Sequence, residues 1–235
     1  MAFISRLFLA AIGAGLIAGL LVSVVQLGTT VPLIAAAEVY ESGAAPAVHE
    51  HADGESHVHA TPGGEDGGLA RHALTFIANM VIGAGCGLFL AALMALHGGA
   101  IDARRGVLWG AAGFAALMLA PALGLPPELP GSAAAELGAR QAWYLLAVLC
   151  TGGGLWLIAF APRLIWLGLA LLVVPHLLGA PHPPTLEGAA PAGLAAHFAV
   201  ASLVTGALFW LTLGAAAGWL LGRGEGEGQR LATRG

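Results

Sequence analysis

The sequence predicts an all-α protein, a multi-pass transmembrane helical bundle of about six spans with both termini in the cytoplasm. Three observations lead there. Hydrophobic residues make up 58% of the chain, only 9% are charged, and the mean hydropathy is +0.84. A soluble domain carries about 25% charged residues, so there is too little polar surface here to clothe a globule in water. Six stretches approach the roughly 20 apolar residues that a helix needs to cross the hydrocarbon core: 7–28, 73–97, 106–123, 142–161, 164–180 and 195–221. Finally, glycines recur four apart, at Gly15/Gly19, Gly83/Gly87, Gly106/Gly110, Gly214/Gly218 and Gly218/Gly222. Such steps let helix backbones approach closely where no hydrophobic effect drives association.

The elements divide the chain into a first span (1–37), an external loop rich in His and acids (38–72), a five-span bundle (73–221) and a short tail (222–235). The fourth and fifth spans are separated only by Ala161, Pro162 and Arg163. Pro162 interrupts a helix and Arg163 belongs near a headgroup, so a tight turn is expected. The count falls to five if 142–180 is one span, or if the first stretch is a signal peptide cleaved after Ala35-Ala36-Ala37. Orientation follows from arginine. With the N-terminus inside, Arg6, Arg104, Arg105, Arg163, Arg223, Arg230 and Arg234 face the cytoplasm, and only Arg71 and Arg140 face out, in accord with the positive-inside rule.

Several function classes are excluded early. All nine basic residues are Arg. Without Lys there is no P-loop lysine to hold a nucleotide's phosphates and no amine for a Schiff base. No basic patch suits nucleic acid. Two cysteines, Cys86 and Cys150, lie in apolar runs and make no disulfide framework. A haem or quinone oxidoreductase would want a His pair deep in facing helices, whereas His176 and His197 fall near helix ends. Transport or binding is expected, not catalysis.

The polar residues gather on the outer side. Residues 38–72 are largely Ala, Gly, Pro and Ser around five His and seven acids, a composition that buries no core and predicts mobility. Within it run His49-Glu50-His51-Ala52-Asp53-Gly54-Glu55-Ser56-His57-Val58-His59. Imidazoles suit divalent transition metals and carboxylates complete a harder site, so His49, His51, Asp53, Glu55, His57 and His59 are candidate ligands. A solvated loop with incidental His is the bland alternative. Beyond the loop, His176 follows Pro175, His182 lies in Gly179-Ala180-Pro181-His182-Pro183-Pro184, and His197 opens the last span. Ionisable groups at membrane depth commonly face a pathway, and a neutral His bonded to a carbonyl is the alternative. Glu128 lies in the stiff run Gly124-Leu125-Pro126-Pro127-Glu128-Leu129-Pro130-Gly131. It is either part of an interfacial turn or the mouth of an ion path. Glu136 and Arg140 stand at the spacing of a helical ion pair.

The pattern resembles the CbtA-type probable cobalt transporter subunits of bacteria. The resemblance rests on Val31-Pro32-Leu33-Ile34 leading to Ala37-Glu38-Val39-Tyr40-Glu41, the His-rich loop, and Trp109-Gly110-Ala111-Ala112-Gly113-Phe114. It continues through the 124–131 run, Arg140-Gln141-Ala142-Trp143, Pro175-His176, Gly179-Ala180-Pro181-His182-Pro183 and Phe209-Trp210. The 124–131 run joined to Arg140-Gln141 is its most specific part. Tyr144 departs from the family, which often shows a second Trp there. The resemblance implies cobalt uptake linked to cobalamin synthesis, a bacterial inner-membrane location, and a small one-span partner of the CbtB type. It carries over Glu38, Glu41, Glu128, His176 and His182 as candidates for the path. Family members are often drawn with five spans.

The expectation is therefore a membrane subunit of a divalent metal-ion importer. The ion is its substrate: cobalt by resemblance, with nickel or zinc equally open to the residues themselves. The loop would capture metal and pass it to Glu38, Glu41, Glu128, His176, His182 and His197. The alternative is a metal-binding accessory or sensor protein that transports nothing.

Overall fold

The computed structural model describes residues 2–41, 65–99, 101–185 and 188–232. All regular structure among them is helical. The order is α1 (Ala2–Gly28), α2 (Thr30–Glu41), α3 (Glu65–His97), α4 (Ala103–Phe114), a π-helical turn (Ala115–Leu119), α5 (Ala120–Ala122), α6 (Leu137–Phe160), a 3-10 turn (Pro162–Leu164), α7 (Ile165–Leu178) and α8 (Ala192–Ala232).

Four helices make the core. α1 packs between α3 and α8, and α8 packs in turn on α4. The buried centre is Ala14, Ala18, Val22, Leu90, Met94, Phe209, Trp210, Leu213 and Ala217. Small residues of α1 and α8 face large ones, so side chains interdigitate. The glycine steps form two seams. Gly15 and Gly19 of α1 meet Gly83 and Gly87 of α3, where a methyl on Gly15 would fall on the Gly83 carbonyl. Gly106 and Gly110 of α4 meet Gly214 and Gly218 of α8, and a methyl on Gly106 would fall on the Gly214 carbonyl. Of the fifth spacing, Gly218/Gly222, the second member meets the Ile101 carbonyl just before α4.

Prolines and caps set the breaks. Pro32 has no N–H to offer Gly28 and ends the first helix there; Thr29 separates α1 from α2, its hydroxyl donating to the Val25 carbonyl at 2.8 Å. Asp102 caps α4, its Oδ1 accepting from the Arg105 N–H at 2.8 Å. Pro121 removes the donor that would reach the Leu117 carbonyl in an α-helix, and the chain passes through the π turn just before it. The Tyr144 hydroxyl of α6 donates to that freed carbonyl at 3.0 Å. Inside the α1–α3 contact, Asn79 Nδ2 donates to Ser23 Oγ at 3.0 Å and to Gln26 Oε1 at 2.7 Å.

One expectation, the number of spans, is corrected. Among the described residues five helices, not six, are long and apolar enough to cross a membrane: Ile4–Gly28, Gly68–His97, Ala103–Ala122, Leu137–Phe160 and Ala192–Arg223. The break at Ala161–Leu164 falls where Pro162 placed it, but α7 behind it has 14 residues. It rises only about 21 Å, against a hydrocarbon core of about 30 Å. α7 folds back along α6, with Gly154 and Gly168 in close apposition. Gly13 of α1 approaches Leu220 of α8, so the N-terminal part of α1 and the C-terminal part of α8 lie toward the same end of the bundle. The described ends of the segment 38–72 are helical. Helices enter it from both sides, α2 through Glu41 and α3 from Glu65.

Candidate functional site

The end of the bundle away from the termini gathers the polar motifs. Its centre is Trp143, 7% exposed, in the second turn of α6. Its Nε1 donates to the Pro175 carbonyl at 3.2 Å. That carbonyl belongs to the last turn of α7, where no helical N–H follows to satisfy it. Gly124 packs on the opposite side. A methyl there would lie 2.5 Å from Trp143 Cη2 and 2.7 Å from Ala180 Cβ. His176 stands edge-on to the same indole, ring centroids 6.1 Å apart. Three stretches distant in sequence, 124–131, 140–143 and 175–180, thus meet at one aromatic ring.

Two carboxylates at this end are held by arginines. Glu128 Oε2 accepts from Arg140 Nη2 at 2.7 Å, each side chain 29% exposed. The pair lies on the wall of a depression of about 640 Å³ bordered by Pro121, Leu125, Pro126 and Tyr144. Glu38, in the last turn of α2, accepts from Arg71 Nη1 of α3 at 2.8 Å and 3.1 Å, with side chains about half exposed. Glu41 ends α2 beside Gly131, whose added methyl would lie 3.4 Å from Glu41 Cβ. Gly131 has a φ of +73°, a conformation that favours glycine, and its carbonyl accepts from the Ala189 N–H at 3.1 Å. This ties the loop before α8 to the 124–131 turn.

The expected Glu136–Arg140 ion pair is not what forms. Glu136 caps α6, accepting from the Gly138 and Ala139 N–H groups at 2.8 Å and 2.7 Å. Those two bonds hold its carboxyl below the usual carboxylate range. Arg140 turns instead to Glu128.

Other candidates stand apart. His182 is exposed in the segment after α7, and His197 is exposed near the start of α8. Among the described residues, no three of His, Cys, Asp and Glu come together as a metal site. Glu38, Glu41, Glu128, His176, His182 and His197 therefore share an end of the molecule without forming one ligand set. His49, His51, Asp53, Glu55, His57 and His59 lie outside the described residues.

Two features escaped the sequence reading. One is the Ser23–Asn79–Gln26 bridge, whose members are 53 to 56 residues apart and carry no motif. The other lies at the opposite end, where His97 of α3 stacks near Phe160 of α6 at 4.0 Å between ring centroids, with Trp109 at 5.8 Å and Trp156 at 6.0 Å. The recurrence of Trp and Phe at helix ends was its one available signal.

No curated protein and no solved structure matches the chain. A family does, described as probable cobalt transporter subunit (CbtA), over residues 4–222, which takes in every helix of the core and the whole of the polar end. By that match, and with five helices among the described residues long and apolar enough to cross a membrane, the chain is a multi-pass membrane protein that belongs to the CbtA family of probable cobalt transporter subunits.

Proposed function

We propose that this chain is the membrane subunit of a divalent-cation importer whose cargo is cobalt destined for cobalamin synthesis. The observation that carries the reading is the family match joined to the gathering of Glu38, Glu41, Glu128 and His176 at one end of the bundle. In this reading that end faces outward, in a bacterial inner membrane. The segment His49, His51, Asp53, Glu55, His57 and His59 raises the local cation concentration there.

The arginine-held carboxylates give the site its chemistry. A divalent ion reaching Glu128 competes with the Arg140 guanidinium for the same oxygens, and at Glu38 it competes with Arg71. Each arginine holds its carboxylate in place while no metal is bound, and each is released when the ion takes its position. Inward movement needs no nucleotide. A double charge crossing 100 mV, inside negative, gains about 4.6 kcal/mol, enough for roughly 10³-fold accumulation.

The middle of the bundle offers few polar groups. The Ser23–Asn79–Gln26 bridge is satisfied within itself, and the hydroxyls of Thr151 and Thr205 are buried without a bond. A second chain, of the one-span CbtB type, completes the path in this reading. The same scarcity favours a second reading, an accessory protein that binds metal and hands it on.

Deleting residues 44–63 separates the two. A permease keeps its maximal cobalt uptake and loses it only at low external cobalt. An accessory protein loses function at every concentration, and that result would overturn the permease reading.

A further inference from the structure

Arg71, Thr75, Asn79, Gly83 and Gly87 follow one another four apart on α3, so they form a single row along the helix. The row changes character with depth. Gly83 and Gly87 meet the α1 backbone. Asn79 meets Ser23 and Gln26 of α1, and Arg71 meets Glu38 of α2. The seam is therefore closed backbone on backbone over one half and lined with polar groups over the half nearer the polar end.

The polar half has one repeated arrangement. At each level α3 supplies a nitrogen donor and the opposing helix supplies oxygens. Arg71 Nη1 reaches the two Glu38 oxygens at 2.8 Å and 3.1 Å. Asn79 Nδ2 reaches Gln26 Oε1 at 2.7 Å and Ser23 Oγ at 3.0 Å. Ser23 gives its own proton to the Gly19 carbonyl at 2.8 Å, so its oxygen faces Asn79 as an acceptor. The two levels lie eight residues apart on α3, about 12 Å. Thr75 stands between them, its hydroxyl bonded back to the Arg71 carbonyl at 2.9 Å.

Depth makes the inner level costly. Asn79 is eleven residues, about 16 Å, along its span from Gly68. That span has 30 residues, about 45 Å, against a hydrocarbon core of about 30 Å, so Asn79 lies within the core. Polar side chains at such depth commonly mark a path. Hydrogen bonds between helices add little to their association in lipid, and the glycines of α1 and α3 already close this seam.

We propose that the polar half of this seam is the entry path of the cargo, and that Ser23, Gln26 and Asn79 form an intramembrane site on it for a partly hydrated divalent cation. The inference deepens the importer reading and rests on it. As it stands, Asn79 Nδ2 fills the place between the two oxygens. Turning the amide over, about a soft two-fold torsion, puts Oδ1 there instead. Three oxygens then face one point, an arrangement that repels itself unless a cation lies between them. All three are neutral, so the ion is held weakly, as passage requires, since it has to leave as well as enter. The Gly15–Gly83 contact shuts the seam beyond, so onward movement needs α1 and α3 to part there.

Two substitutions separate a path from a brace. Asn79→Ser and Asn79→Leu both remove the amide that joins α1 to α3, and only Asn79→Ser leaves an oxygen in the track. Cobalt uptake would be measured per chain in the membrane, in cells lacking their own importers and supplied with the one-span partner. Asn79→Ser should stay close to the unaltered chain. Asn79→Leu should fall about tenfold or more, the loss of one bond to a charged group. Equal loss in both variants, or loss in neither, would overturn the path and leave the importer reading standing. No uptake by the unaltered chain would overturn that reading and the path with it. A second readout needs no transport. In proteoliposomes, a cationic, membrane-impermeant thiol reagent on both faces should modify Thr75→Cys, and cobalt should slow the reaction. Leu74→Cys, a neighbour whose native side is 67% exposed toward lipid, should not react beyond the background set by Cys86 and Cys150 of the unaltered chain. Equal reaction at both positions, or at neither, would overturn the proposal.

Discussion

Arginine placement is the feature of single residues on which the site turns. Arg140 had two acids within reach of its sequence position, and the structure pairs it with Glu128 because Glu136 is already committed to the first N–H groups of α6. If the guanidinium competes with cargo, the two partners respond in opposite directions. Glu128→Gln should raise the cobalt concentration for half-maximal uptake roughly tenfold, about 1.4 kcal/mol. Arg140→Gln should lower it, and equal losses in both variants would mean that the pair only braces the turn. Glu136 gives a separate test in pH. Its carboxyl is held below the ordinary range by Gly138 and Ala139, so the cap is fully formed above the unfolded value and is lost as pH falls through the lowered one. Hydrogen-exchange protection at Gly138 and Ala139 should drop across that acid window. Glu136→Ala should remove the pH dependence while leaving protection low throughout.

Helix pairing was the most legible level in the sequence, because close backbone contact in lipid demands small residues at a fixed spacing. Gly15, Gly19, Gly83 and Gly87 were read as one type of step and proved to be the two sides of one seam; Gly106, Gly110, Gly214 and Gly218 form the other. Composition cannot say which step meets which, since every Gly-xxx-Gly looks alike. The turn at Pro162 was equally legible, because a proline removes a specific hydrogen bond. The length of α7 was not, because apolar residues 164–180 read the same whether the helix spans the bilayer or ends early at Gly179 (φ +80°). The seams carry a stability prediction. Gly106→Ala places a methyl on the Gly214 carbonyl and should cost about 1–3 kcal/mol. Gly85→Ala meets open space and should be neutral or stabilising by up to about 1 kcal/mol. Thermal unfolding of the two variants in detergent compares them directly.

The whole molecule has two unlike ends joined by a core with little polarity. One end collects carboxylates, arginines and His176 around Trp143; the other collects His97, Trp109, Trp156 and Phe160. The gathering of acids at one end could be read from the sequence, since spans alternate and each loop's side follows from its place in the count. The pairing of those acids could not, because Glu38 and Arg71 are 33 residues apart and Glu128 and Arg140 belong to different elements. The family's motif stretches were legible as separate runs, and only the fold joins 124–131, 140–143 and 175–180 at a single indole. The central claim is that this assembly of helices carries cobalt inward. Radiolabelled cobalt uptake, in cells lacking their own importers and expressing the chain with and without a one-span partner, tests it most directly. The account predicts saturable uptake that collapses when the membrane potential is dissipated and weakens in Glu128→Gln. Absence of uptake with both chains shown to be in the membrane would contradict it.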